Sequence, residues 1–147
     1  MCLRKITKRV PWNKKPSGEI WYKLVKKYRD SDGTIFYRPF YQTSSGRLQL
    51  FKIYNDKSKR TIETQYDRTK HKYYHYKSGF HFYDAEIIET AKDWHSWGTA
   101  HSYKKGPSFL YGTAVLQCAV WNIQTYGEDT YGNSCVAKSF MPIAEVE

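Results

Sequence analysis

The chain has 147 residues, enough for one domain with its own core, and its 40% apolar and 18% aromatic content excludes an intrinsically disordered protein. Its charge is divided, because residues 1–77 contain 20 Lys or Arg against 6 Asp or Glu, whereas residues 78–147 contain 4 against 8. The total of +10 favours an anionic partner and excludes an acidic mimic of DNA.

The first forty residues predict a basic arm followed by a hairpin. Residues 1–18 carry paired Lys and Arg with two prolines, so we interpret them as a surface arm of a single domain spanning residues 1–147. Alternating side chains over 19–28 and 34–41 predict two strands. Between them, Gly33 supplies the positive φ that a hairpin turn requires.

The middle of the chain predicts short strands around a charged segment. Residues 48–54 alternate as a third strand, and the polar, basic residues 55–72 predict a long loop or an exposed hairpin. The aromatic residues 80–83 follow Gly79 and predict a short buried strand.

Residues 84–96 predict the principal helix. Asp84 is a good N-cap, and an apolar stripe begins at Ile87 and Ile88 and continues to Trp94. After the helix, the apolar run within 109–126 predicts a buried strand, and 135–143 predicts its return. The predicted fold class is therefore α+β, a mainly antiparallel sheet with one helix packed on it.

Several short motifs occur together in this chain. They are Met1-Cys2-Leu3, Trp21-Tyr22-Lys23, Gly79-Phe80-His81-Phe82-Tyr83, residues 115–120 and residues 136–143. Their order and spacing resemble a group of small uncharacterised proteins encoded by phages and prophage-bearing bacteria. The resemblance implies a viral or mobile-element origin and a compact α+β fold, and it assigns no catalytic residue. This chain departs from the pattern in its basic arm and in the basic segment 55–72.

The cysteines and the first two histidines do not predict a metal or redox site. Cys2, Cys118 and Cys135 lack the close spacing of a zinc site, so we interpret them as reduced thiols. An exposed N-terminal Cys2 is also a candidate nucleophile, but the sequence shows no base to activate it. His71 and His75 lie in an extended, Tyr-rich segment without a nearby acid or thiol. We predict no metal and no cofactor.

His81 is the strongest candidate for a catalytic group. It lies at a strand-to-helix junction, where a pocket commonly forms, with Tyr83 and Glu89 as candidate partners. The alternative is a core histidine bonded to a backbone carbonyl, which we favour. The order of short elements also resembles that of ribosyl transferases.

Cations interleaved with aromatic rings predict a ligand site. Such segments combine charges that neutralise phosphates with rings on which bases stack. The residues that we assign to the site are Arg29, Arg38, Lys72, Tyr73, His75 and His81. The alternative is a solvated face whose tyrosines cover the core.

These patterns favour a binding protein over an enzyme. The leading hypothesis is a phage-type protein that binds a nucleotide signal or nucleic acid and thereby counters host defence. The alternatives are a nucleotidyl or ribosyl transferase or small nuclease centred on His81, and an inhibitor of an acidic host protein. No apolar run approaches the ~20 residues of a membrane span, so we expect a cytoplasmic protein without a membrane partner. The patterns do not predict an oligomeric state.

Overall fold

The computed structural model describes residues 3–10, 18–39, 46–90, 104–105, 108–129 and 131–146. The protein is mostly antiparallel β-structure, with 63% strand, 4% helix and no helix of seven or more residues in the described ranges. The predicted α+β fold class with a principal helix is therefore wrong.

The described residues form ten strands in chain order. They are β1 (Lys5–Arg9), β2 (Glu19–Arg29), β3 (Ile35–Pro39), β4 (Tyr54–Asn55), β5 (Thr61–Glu63), β6 (His75–Lys77), β7 (Phe80–Tyr83), β8 (Lys104–Lys105), β9 (Ser108–Asp129) and β10 (Gly132–Val146).

The long strand β9 organises the sheet. It pairs with β10 along most of its length, with β2 from Val120 back to Phe109, and with β1 near Glu128. Strand β7 pairs with β10 and reaches β2 through the single pair Tyr22 and Tyr83. Strands β9, β10, β7 and β2 therefore form a closed circuit of hydrogen-bonded neighbours.

The structure confirms several predicted strands. The hairpin of β2 and β3 turns at Gly33, whose φ is 87°, and the Asp30 amide donates to the Thr34 carbonyl at 2.9 Å. Strand β7 and the terminal hairpin of β9 and β10 are also present. The predicted third strand over 48–54 is wrong, because only Leu48 forms an isolated bridge before β4. Between them Phe51 has a φ of 64°, which interrupts an extended strand.

The predicted helix over 84–96 is wrong, although its first residues behave as a helix start. Asp84 Oδ1 accepts a hydrogen bond from the Glu86 amide at 3.1 Å, and the Ile87 amide donates to the Asp84 carbonyl at 3.2 Å. Helical backbone is present only at 87–90, and residues 91–96 lie outside the described ranges. Ile87 is already buried against Tyr83 and Val115, so one turn is enough to bury the start of the stripe. Within the described residues, the pattern predicted the burial of Ile87 correctly.

The largest hydrophobic core lies on one face of the closed circuit. Its centre is Phe140, which is fully buried and contacts Phe80 and Phe82 edge to face at centroid distances of 4.8 and 5.0 Å. Among the described residues two smaller clusters form elsewhere, one around Ile87 and one around Leu3 and Tyr76. Both faces of the central strands are therefore covered.

In the part of the chain that the structure describes, no helix combines the length and the apolar character that crossing a membrane requires.

Candidate anion-binding groove

A groove of about 780 Å³ lies where the start of β1, the end of β9 and the loop between β5 and β6 meet. We call it the basic groove. It is lined by Arg4, Lys5, Ile6, Gln65, Tyr66, Asp67, Arg68, Lys70, Tyr74, Glu128 and Asp129. Its walls come from three segments that are remote in sequence.

The first wall is the start of β1, which backbone hydrogen bonds connect to the end of β9 and to the chain after β5. The Arg4 amide donates to the Glu128 carbonyl at 2.7 Å, and the Gln65 amide donates to the Leu3 carbonyl at 2.9 Å. Leu3 is fully buried, and its own amide donates to the Tyr76 hydroxyl at 3.1 Å. These contacts orient the side chains of residues 4 and 5 at the groove.

The second wall is the loop 64–74, which extends the hairpin of β5 and β6. The Thr64 amide donates to the Tyr74 carbonyl at 2.8 Å, and the Tyr74 amide donates to Thr64 Oγ1 at 3.0 Å. At the tip, Asp67 Oδ1 accepts the amides of Thr69 and Lys70 at 2.9 and 3.1 Å. The Asp67 carboxylate therefore accepts hydrogen bonds within the turn, and these bonds stabilise the tip.

The groove has four cations and three acids. Arg4, Lys5, Arg68 and Lys70 are all exposed, whereas the carboxylates are partly or fully buried. Asp129 is 4% exposed, accepts a hydrogen bond from the Tyr83 hydroxyl, and accepts the Tyr131 amide at 2.7 Å. Burial raises the pKa of the Asp129 carboxyl, while these hydrogen bonds oppose the increase. The charges that face solvent are thus mainly positive.

Three of the predicted ligand residues lie on the same hairpin as the groove. Lys72 Nζ lies 4.8 Å from the centroid of the Tyr74 ring, and the half-exposed Tyr73 ring contacts Tyr66. His75 Nε2 lies 3.1 Å from Glu63 Oε1. These residues flank the groove rather than line it.

The other predicted arginines lie elsewhere. Arg29 pairs with Phe109 at the start of β9, whereas Lys5 pairs with Glu128 at its end. The Arg38 guanidinium lies 5.8 Å from the centroid of the Tyr28 ring. Arg29 therefore lies toward the end of β9 opposite the groove, and Arg38 lies on β3 beside Lys26. Neither arginine lines the groove.

His81 is buried beneath the hairpin of β5 and β6. It is 9% exposed, and its ring contacts Tyr76 edge to face with centroids 6.1 Å apart. Among the described residues its Nδ1 has no hydrogen-bond partner. Burial lowers the pKa of the imidazole to about 3, so the ring is neutral at physiological pH. A general base must reach a proton of its substrate, and this ring does not line the groove.

The other catalytic candidates do not join His81. The Tyr83 hydroxyl donates to Asp129, which lines the basic groove. Glu89 is exposed on the helical turn 87–90.

Sequence analysis missed a buried lysine. Lys23 is 4% exposed, and its Nζ donates to the His81 carbonyl at 2.9 Å. The ring centroids of Phe82 and Phe140 lie 4.9 and 5.7 Å from Nζ. Burial lowers the pKa of the amine to about 8, and the nearby cysteines oppose this change. The sequence signal for its burial was the alternation of strand β2, which places Lys23 on the same face as Trp21 and Val25.

The groove cations Arg4, Lys5, Arg68 and Lys70 were also missed as site residues. Their segments were recognised as basic, but local patterns do not show that residues 4 and 5 meet a loop sixty residues later. That contact depends on the pairing of β1 with β9.

Comparison of the chain with known protein families, curated proteins and solved structures found no match. The resemblance to phage proteins therefore stays a prediction.

Proposed function

We propose that the protein binds a phosphate-bearing ligand in the basic groove without turning it over. The observation that carries this proposal is the convergence of Arg4 and Lys5 with Arg68 and Lys70 on one cavity of about 780 Å³. The volume is in the range of pockets for drug-sized ligands. Arginine and lysine together supply the fork-shaped and point-like donors that bind phosphate oxygens.

Binding is favoured over turnover by the position of the candidate catalytic groups. His81 is buried outside the groove lining, and its lowered pKa leaves the ring neutral, so it cannot act as a general acid at neutral pH. Both oxygens of Asp129 already accept hydrogen bonds, from the Tyr83 hydroxyl and from the Tyr131 amide. These acceptor bonds stabilise the fold and reduce the availability of the carboxylate to a ligand.

The proposed setting is the cytoplasm of a host cell, where a phage-type protein would sequester a nucleotide signal or nucleic acid used in defence. The charge supports this role, because a net charge of +10 attracts such anions over a distance at low salt.

The test is calorimetric titration with inorganic tripolyphosphate at low ionic strength. We expect the Arg4→Gln/Arg68→Gln variant to lose about tenfold or more in affinity, because each arginine supplies charge-assisted hydrogen bonds. The matched control is Arg29→Gln/Arg38→Gln, which removes the same charge outside the groove lining and should bind within about twofold of the parent. Equal losses in both variants, or no binding by the parent protein, would refute the proposal.

A further inference from the structure

Two tyrosine rings lie exposed at the loop that forms one wall of the basic groove. Tyr66 and Tyr73 are 46% and 50% exposed, with ring centroids 5.1 Å apart and planes at 53°. Neither ring belongs to the hydrophobic clusters formed by the described residues. Adjacent ring faces open to water are the surface on which nucleobases stack.

The loop that carries the rings is held in place. The Tyr66 hydroxyl lies 3.4 Å from His71 Nδ1, and Asp67 pairs with Lys72 across the loop. The rings are therefore presented by an ordered turn, so a stacking ligand does not have to organise the loop first.

Cations continue along this hairpin beyond the groove. Seven Lys or Arg occur between residues 57 and 77, and every one is exposed: Lys57, Lys59, Arg60, Arg68, Lys70, Lys72 and Lys77. A small phosphate compound contacts only a few of them, whereas a polymer with regularly spaced phosphates can contact more of them.

We propose that the ligand is single-stranded nucleic acid, with its backbone along these cations and its bases on Tyr66 and Tyr73. The inference rests on the proposed function, because the groove supplies part of the phosphate-binding surface. A duplex hides its base faces by stacking them on one another, so only an unpaired strand offers them to the rings. Rings at 53° to each other also require successive bases to splay apart, which a flexible strand permits.

The experiment measures binding by fluorescence anisotropy over a range of salt concentrations. The probes are labelled oligothymidylate and oligouridylate of about 20 nucleotides, longer than the site of one small binding module. A labelled duplex of the same length and unlabelled inorganic tripolyphosphate complete the set. Oligothymidylate and oligouridylate separate a DNA from an RNA ligand, and preferential binding of either one over duplex supports the inference.

Two kinds of variant should differ in their salt dependence. Tyr66→Leu/Tyr73→Leu should lower oligonucleotide affinity about tenfold or more and leave the salt slope unchanged, because it removes rings and no charge. Arg68→Gln/Lys70→Gln should reduce the slope of log K against log salt by about 1.4, since each single-strand phosphate contact contributes about 0.7.

The controls separate ring chemistry from damage to the loop. Tyr66→Phe/Tyr73→Phe keeps the rings but removes the Tyr66 hydroxyl contact with His71. It should bind as the parent does, because the hydrogen bonds of Asp67 still stabilise the turn. Phe51→Leu removes a 71% exposed ring that does not line the groove and should also leave affinity unchanged.

The inference is overturned if the leucine variant binds oligonucleotides as the parent does, or if the parent binds the duplex as well as it binds the single strands. Either result can occur while tripolyphosphate binding still depends on Arg4 and Arg68. In that case the proposed function stands. Failure of every probe to bind the parent protein would remove the proposed function and this inference together.

Discussion

Replacing Lys23 by Met tests whether a buried, charged amine limits the stability of this protein. Lys23 is 4% exposed, and its Nζ bonds to the His81 carbonyl. Met has a similar length and keeps the contacts with the surrounding phenylalanine rings, while it removes the charge and one hydrogen bond. The variant therefore isolates the cost of keeping a charge in the core.

The magnitude follows from the pKa of the amine. It falls from 10.5 to about 8 on burial, and at about 1.36 kcal/mol per pH unit the charged form costs about 3 kcal/mol in the folded state. Losing the bond to the His81 carbonyl costs about 1 kcal/mol. At pH 7 the Lys23→Met variant should therefore be more stable than the parent by about 2 kcal/mol.

The sign of the pH dependence is also determined. Between pH 8 and 10.5 the unfolded chain binds more protons at Lys23 than the folded chain does, so the parent gains stability from this group as pH rises. Below pH 8 the amine is charged in both states and the full cost is present. The advantage of the variant should shrink by about 2.5 kcal/mol between pH 7 and pH 10.

The assay is guanidinium chloride unfolding followed by tryptophan fluorescence at pH 7, 8, 9 and 10 under reducing conditions. Taking the difference between variant and parent cancels the titration of the tyrosines and thiols, which both chains share. Lys59→Met, at an exposed lysine, is the control and should show a difference that does not change with pH. A difference for Lys23→Met that stays constant within about 0.5 kcal/mol across this range would refute the reasoning.

Three further outcomes are expected. Gly127→Ala should destabilise the protein by more than about 2 kcal/mol in chemical unfolding, because the added Cβ would lie 2.2 Å from a β1 carbonyl oxygen. Gly18→Ala is the control and should change the stability little, since the nearest atom to its added Cβ is 3.8 Å away. Equal effects of the two substitutions would contradict the packing of β1. Phe140→Ala should cost about 3–5 kcal/mol in the same assay, since the side chain is fully buried among aromatic rings, and a loss below about 1 kcal/mol would show that the core differs. Cys118 and Cys135 should resist labelling by iodoacetamide at pH 8 until denaturant is added, as measured by peptide mass mapping. Both are fully buried, and burial raises the pKa of the Cys118 thiol to about 12 and that of Cys135 well above its usual value. Rapid labelling of the native protein would contradict this prediction.

Local sequence patterns correctly predicted those strands and turns whose pattern depends only on residues adjacent in sequence. The alternation in β2, the turn at Gly33 and the long apolar run of β9 each depend on neighbouring residues, and the structure has all three. The prediction for 48–54 failed because periodicity does not reveal the left-handed conformation of Phe51.

The helix prediction failed for a different reason. Asp84 and Ile87 satisfy the rules for a helix start and a buried stripe, but those rules do not say how many turns the tertiary structure needs. Ile87 is buried against Val115 of β9 and Tyr83 of β7, so the stripe begins to pack within the single helical turn at 87–90.

The sequence by itself determined the separation of charge between the two halves, the hairpins and the aromatic, basic character of the segment around Tyr73. Only the tertiary structure decided which cations share a cavity. In the folded protein Arg4 and Arg68 line the same groove, whereas Arg29 lies beside the start of β9. His81 is buried against the Tyr76 ring. The physical reason is that these contacts depend on pairing between strands remote in sequence, and local periodicity carries no information about which strands pair.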